Sequence, residues 1–229
     1  MKYIIVGLGN FGASLAMKLT ENKNEVIAID DSLEKVEFYK EKITHTIRMD
    51  ATDENTVSGL PIPNTDIVVI AIGEDQGANV MATALFKNLN AKRIISRSIN
   101  VLHEKVLTAI GVDDIVRPEQ ESAEKWSKKL SAQNIVDSFE LGVNFSIVEA
   151  KIPEKYAGQS IREMHLRRKF NILVLTVIEA GNKKESESFQ LNEKIKGIAD
   201  PDRVVNKNDV LVLFGANNDL KVFLKQELK

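Results

Sequence analysis

Residues 7–12 read Gly-Leu-Gly-Asn-Phe-Gly, directly after the apolar stretch Tyr3–Val6 and at the mouth of an amphipathic segment, Phe11–Thr20. A glycine-rich turn between a strand and a helix commits the chain to a βα unit whose helix N-terminus opens at the strand's C-terminal end. Gly7 permits the tight turn, Gly9 lets the backbone approach a pyrophosphate with no Cβ in the way, and Gly12 lets helix and strand pack closely. The helix start then offers unsatisfied N–H groups and a partial positive charge to phosphates. A turn that merely needs glycine is the bland alternative, and Asp30 argues against it. Asp30 follows the second apolar run, Glu25–Ile29, near the ~20-residue offset of a carboxylate that binds a ribose diol. A carboxylate there repels the 2′-phosphate of NADP. Asp31 can supply the contact instead, or cap the next helix with Ser32; strand-end geometry favours Asp30.

Around this unit the first half alternates apolar runs with amphipathic segments, which predicts a parallel sheet covered by helices. The expected strands are Tyr3–Val6, Glu25–Ile29, Thr46–Met49, Asp66–Ile72, Arg93–Arg97 and Asp114–Val116. The expected helices are Phe11–Thr20, Leu33–Glu41, Glu54–Gly59, Gln76–Leu89 and Val101–Ile110. The run Ile67–Ile72 is continuous rather than alternating and calls for apolar cover on both faces. Several strands end in small or polar residues, the edge where a doubly wound sheet receives its ligand. On that edge lie Asp50-Ala51-Thr52, the run Ala71-Ile72-Gly73-Glu74, and Arg97, which can reach a phosphate. Thr52 or Asp53 serves equally well as a helix cap, and Arg97 equally well as an exposed arginine with no ligand.

After Pro118 the rhythm changes. Glu119–Leu130 predicts one more helix, with the only tryptophan, Trp126. Strands Ile135–Leu141 and Phe145–Ile152 follow, joined at Gly142, then a short helix over Ile161–Arg168 and a strand Ile172–Val177. A hairpin tip at Gly181-Asn182, a last strand Val210–Phe214 and a helix Asn218–Leu228 complete the reading. The fold class is therefore α/β: a Rossmann-like doubly wound parallel sheet with a second, smaller α+β C-terminal domain. The expected domains are residues 1–134 for nucleotide binding, with the crossover helix, and 135–229 for regulation.

Composition narrows the function. The 229 residues carry a formal net charge of −2, which gives no general pull toward nucleic acid or an anionic bilayer. With no cysteine, there is no disulfide, thiolate metal site or cysteine nucleophile. No signal-peptide pattern and no apolar run near ~20 residues stands out, so a cytoplasmic protein is expected. His45 lies away from the ligand edge, His103 in a helix and His165 beside arginines, so none has a catalytic setting. Nucleotide binding without turnover is the reading; an NAD-dependent oxidoreductase is the competitor. No helix-turn-helix with a basic recognition helix supports a transcription factor.

The glycine loop, Asp30 and Asp50-Ala51-Thr52, in a Rossmann-plus-small-domain plan, make the chain resemble the RCK proteins, regulatory subunits of Trk/Ktr-type potassium uptake systems. Gly111 through Glu119 resembles that family's last Rossmann strand leading into its crossover helix, and Pro153 through Val177 the start of its C-terminal domain. The resemblance implies a homo-oligomer, a dimer assembling into a ring, on the cytoplasmic face of a membrane-embedded potassium channel or transporter subunit. NAD(H) or ATP/ADP would be the regulatory ligand. Gly7, Gly9, Asn10, Phe11, Gly12, Asp30, Asp50, Ala51, Thr52, Gly73 and Arg97 would line its site, with Glu119 facing nucleotide or cation near the dimer interface. Asn10 stands where ATP-responsive members often carry arginine, which leaves NAD(H), ADP or AMP more open. Some relatives bind a cyclic dinucleotide through an arginine and an asparagine. Arg167 matches the arginine, but Leu173 stands in the asparagine's place and argues against that ligand here.

Overall fold

The Ile-Ile-Val run at residues 4–6 is buried on both faces, and the sheet grows outward from it. The computed structural model describes residues 1–131, 135–179, 194–195 and 197–225. Within these, the chain forms two compact units, Met1–Glu121 and Ser122–Lys229.

The first unit is a six-stranded, wholly parallel sheet: β1 (Lys2–Val6), β2 (Glu25–Asp30), β3 (His45–Arg48), β4 (Ile67–Ile70), β5 (Ile94–Arg97) and β6 (Asp114–Val116). Their order, β3-β2-β1-β4-β5-β6, reverses direction between β1 and β4 and opens a crevice at the strands' C-terminal ends. The crossovers carry α1 (Asn10–Glu21), α2 (Leu33–Tyr39), α3 (Glu54–Val57), α4 (Gln76–Asn88) and α5 (Val101–Ile110). The expected two-sided cover is present. Ile4, Val6, Val68 and Ile70 join one apolar cluster, while Ile5 and Val69 join the other. Alternate residues of each strand face opposite helical layers. Strand β4 is shorter than the apolar run, because Ala71 and Ile72 turn away toward the crevice floor.

Helix α6 (Pro118–Ser131) begins in the first unit and ends in the second. The second unit holds β7 (Ile135–Glu140), β8 (Phe145–Lys151), β9 (Leu173–Glu179), β10 (Lys194–Ile195) and β11 (Val210–Ala216). They form one antiparallel sheet, ordered β10-β9-β11-β8-β7. The single helix expected over Ile161–Arg168 is two, α7 (Ile161–Met164) and α8 (Leu166–Phe170), broken where His165 takes φ +50°. Met164 and Leu166 are both buried in the same core. On an unbroken helix two residues two apart point about 200° apart, so the break lets both face inward. Helix α9 (Asn217–Leu224) packs Leu220 and Phe223 onto that core. The Gly181-Asn182 tip lies outside the described residues.

Candidate functional site

A cleft of about 350 Å³ opens at the C-terminal ends of β1 to β5, a volume suited to a small-molecule ligand. Each strand delivers its terminal residues to it. From β1 come Gly7, Gly9 and Asn10; from β2, Asp30 and Asp31; from β3, Asp50, Ala51 and Thr52; from β4, Gly73 and Glu74; from β5, Arg97. Glu119, in the first turn of α6, closes the far side.

The β1–α1 turn is built for an anion. Gly7 adopts φ +99°, a conformation side chains avoid, and sends the chain sharply into α1. The N-terminus of α1 has Gly9 at its cap, with no side-chain acceptor there and no acidic residue in the first turn. The first-turn amides keep their hydrogen-bonding capacity and the dipole its positive end. The start of α4, by contrast, is already occupied. Asp75 lines the cleft and its carboxylate accepts the Ala78 N–H at 2.9 Å. One helix end therefore remains open to a phosphate.

Two of the twelve expected residues lie elsewhere. Gly12 sits under the turn, where a Cβ would collide with the Gly7 carbonyl and come within 2.9 Å of the Ala71 Cβ. Its role is close packing, not lining. Phe11 packs into the apolar cluster between helix and sheet with Leu8 and Ala13, because the helix turns it away from the opening.

At the end of β2, the Asp30 side chain is buried and accepts the Leu8 N–H at 2.6 Å and the Ser32 N–H at 2.9 Å. Lys35, on α2, brings its ammonium to 3.5 Å from the same carboxylate and lines the cleft. The capping question left open by the sequence is resolved. Ser32 caps α2 and Asp53 caps α3, so Asp31 and Thr52 are left to the cleft. Asp50 accepts hydrogen bonds from the Thr52 hydroxyl at 2.7 Å and the Thr52 N–H at 2.8 Å. Those donors, hydroxyl first, hold its carboxyl below the usual carboxylate range.

Arg97 is not an exposed arginine. Its side chain is 15% exposed, pairs with Glu119, and lies against Gly73, where a Cβ would strike the guanidinium. One guanidinium nitrogen also reaches the Ala71 carbonyl at 3.5 Å, and the buried Nε has no hydrogen-bond partner. Behind this wall Asn79, on α4 and fully buried, donates to the carbonyls of Ile72 at 2.8 Å and Arg97 at 3.2 Å. Ser96 in turn donates to the Asn79 side chain at 3.0 Å. This polar knot fixes the ends of β4 and β5 beside each other. Sequence reasoning missed Asn79, Lys35 and Asp75. The available signals were an asparagine on an apolar helix face and polar residues one turn beyond strand ends.

The family model of the TrkA-N domain matches residues 3–118. Ktr system potassium uptake protein C of Bacillus subtilis (strain 168) is 31% identical over 227 residues, spanning 99% of this chain and 97% of the relative. The chain belongs to the TrkA-N family. Ktr system potassium uptake protein A of the same organism is 32% identical over 222 residues, 97% of this chain and 95% of the relative. Among solved structures, the GsuK RCK domain superposes on all of this TrkA-N protein with a TM-score of 0.66 at 16% identity. A GsuK channel bound to NAD superposes on 98% of it with a TM-score of 0.64, also at 16% identity. This chain spans 48% and 39% of those two longer chains. At that identity the likeness speaks for the fold. His45 and His165 stand outside the cleft lining, as does His103, and among the described residues no cluster of three or more His, Cys, Asp or Glu is set to hold a metal ion. No described helix is long and apolar enough to cross a membrane.

Proposed function

We propose that this TrkA-N protein is the regulatory subunit of a potassium channel or transporter and that an adenine nucleotide, NAD(H) or ATP/ADP, bound in the first unit controls potassium flux. The observation that carries this is the pairing of an uncapped α1 N-terminus with Asp30 in one cleft at the sheet's switch point. In that reading the amides after Gly9 receive a diphosphate and Asp30 receives the adenosine ribose. Asp50 and Thr52 flank the base, and Arg97 reaches the outer phosphate or second ribose. The nucleotide-binding domain is residues 1–134 and the regulatory domain residues 135–229. Near-full-length relatives named for potassium uptake support a membrane-embedded partner, and the solved NAD-bound channel of similar fold supports the ligand class. The protein works at the cytoplasmic face as a homo-oligomer, a dimer assembling into a ring, and binds without turnover.

A ligand shifts a conformational equilibrium only by its difference in affinity for the two states. Coupling of ~1–3 kcal/mol per site is the usual scale, and several sites in a ring add. The deciding experiment is calorimetric titration of wild type and Asp30→Ala with NAD+, ADP and ATP, alongside co-purification with a membrane potassium transporter. Equal affinities in both proteins reject the ribose assignment. Hydride transfer to a small metabolite by a protein that recovers no transporter favours an oxidoreductase.

A further inference from the structure

The cleft is acidic for a site that receives phosphates. Six carboxylates line it, from Asp30, Asp31, Asp50, Glu74, Asp75 and Glu119, against two cations, Lys35 and Arg97. Both cations are already engaged, Lys35 with Asp30 and Arg97 with Glu119. The imbalance is not spread evenly. Over β4 and β5, once Arg97 and Glu119 offset one another, Glu74 and Asp75 remain. Asp75 spends its hydrogen-bonding capacity on the start of α4 and keeps its charge. Glu74 is exposed, and among the described residues no ion pair or hydrogen bond engages its carboxylate.

We infer that the β4–β5 half of this cleft is a cation-favouring subsite that selects an oxidised nicotinamide dinucleotide over its reduced form and over a nucleoside triphosphate. The inference rests on the reading that the adenosine ribose sits at Asp30 and the diphosphate at the start of α1. With those ends anchored, whatever extends past the second phosphate crosses the switch point and lies over β4 and β5. A triphosphate brings its terminal phosphate there, against Glu74 and Asp75. Drawing Arg97 off Glu119 gives no relief, because Glu119 is then left as a third unneutralised carboxylate. An oxidised nicotinamide ring brings a positive charge to the same place, and a reduced ring brings none. The reduced and oxidised dinucleotides share adenosine, diphosphate and second ribose, so their contrast isolates the ring charge. A single unit charge at about 4 Å in a water-like dielectric is worth roughly 5-fold in affinity, and more where the ligand excludes water.

The experiment is isothermal titration of the full chain with NAD+, NADH, ADP and ATP at low salt with a chelator present, repeated on Glu74→Gln. ADP is the reference, because its phosphates end at the α1 turn. Wild type is expected to bind NAD+ at least about 5-fold more tightly than NADH, with ATP below ADP. Glu74→Gln narrows both gaps by roughly 3- to 5-fold and moves ADP affinity by less than either gap, while a thermal melt matching wild type reports an intact fold. Raising the salt narrows the gaps in the same sense. ADP binding accompanied by equal NAD+ and NADH affinities, or by gaps that Glu74→Gln does not move, overturns the charge subsite and spares the nucleotide site. Failure of ADP and the dinucleotides alike overturns both.

Discussion

The Asp30 carboxylate receives the Leu8 N–H at 2.6 Å, so the tip of β2 holds the glycine turn in place from across the crevice. Its other oxygen receives the Ser32 N–H, and the group is buried. A residue assigned to the ribose is therefore also a strut of the phosphate loop. Asp30→Ala orphans two N–H groups, at about 1–3 kcal/mol for each one left buried without a partner. Asp30→Asn keeps one acceptor and loses the other. Both variants are expected to lower adenine-nucleotide affinity at least about tenfold, since a ribose hydroxyl bond to a charged partner is worth roughly 1.5–3 kcal/mol. Stability falls more for Ala than for Asn. Chemical denaturation together with calorimetry separates the two effects. Full affinity in a destabilised Asp30→Ala would leave Asp30 as a strut alone.

Gly9 and Gly12 part company in the same turn. A Cβ at Gly9 meets nothing within 4 Å, whereas one at Gly12 collides with the Gly7 carbonyl. Gly9→Ala is expected to melt within about 1 kcal/mol of wild type, since its backbone is in an ordinary extended conformation. It nevertheless loses nucleotide binding, because the new methyl stands where the phosphate approaches. Gly12→Ala loses about 1–3 kcal/mol through overpacking before binding is considered. Thermal melts and titration of the two variants side by side check the contrast. A stable Gly9→Ala with wild-type affinity would remove the phosphate from this turn.

How far these features were legible from the residues follows from the reach of each signal. The parallel sheet was legible because strands buried on both faces must be apolar throughout, as at Ile4-Ile5-Val6 and Ile67–Ile70. Most of the cleft was legible because a ligand at a switch point meets the residue just past each strand, which sequence order identifies at Asp30, Asp50, Gly73 and Arg97. Phe11 and Gly12 belong to the glycine pattern yet stand outside the cleft wall, since a motif does not say which way each member faces. Asn79 was hidden because its partners, the carbonyls of Ile72 and Arg97, are distant in sequence and join only when β4 and β5 align. The break at His165 was hidden because histidine, though commoner than most residues at positive φ, does not mark such a position by itself. It is dictated by Met164 and Leu166 sharing one core.

Arg97 and Glu119 form an ion pair in which the arginine is mostly enclosed and the glutamate is 67% exposed. A ligand phosphate and Glu119 compete for the same guanidinium. Glu119→Gln removes the competitor's charge and is expected to tighten ATP binding, whose terminal phosphate reaches Arg97, about 2- to 5-fold, the scale of one partly exposed ion pair. Arg97→Met moves affinity the other way. The opposite signs are the check, read by titration at low salt. Equal weakening by both substitutions would mean that Glu119 contacts the ligand directly.

His103 makes stability depend on pH in a predictable direction. The ring is 3% exposed in the first turn of α5, and neither ring nitrogen has a hydrogen-bond partner. Burial lowers its pKa below the ordinary imidazole value of about 6.5. Between the folded and unfolded values the unfolded chain binds more protons, so stability rises with pH through that window. The contribution is complete above about pH 6.5 and is lost as the pH falls toward the folded value, at up to about 1.4 kcal/mol per unit. His103→Leu removes this slope. It also removes a ring N–H that has nowhere to donate, so at pH 8 the variant is expected to be at least as stable as wild type to within about 1 kcal/mol. Urea midpoints at pH 5.5 and pH 8 for both proteins provide the measurement. The same acid-side loss in His103→Leu would assign the effect to another group.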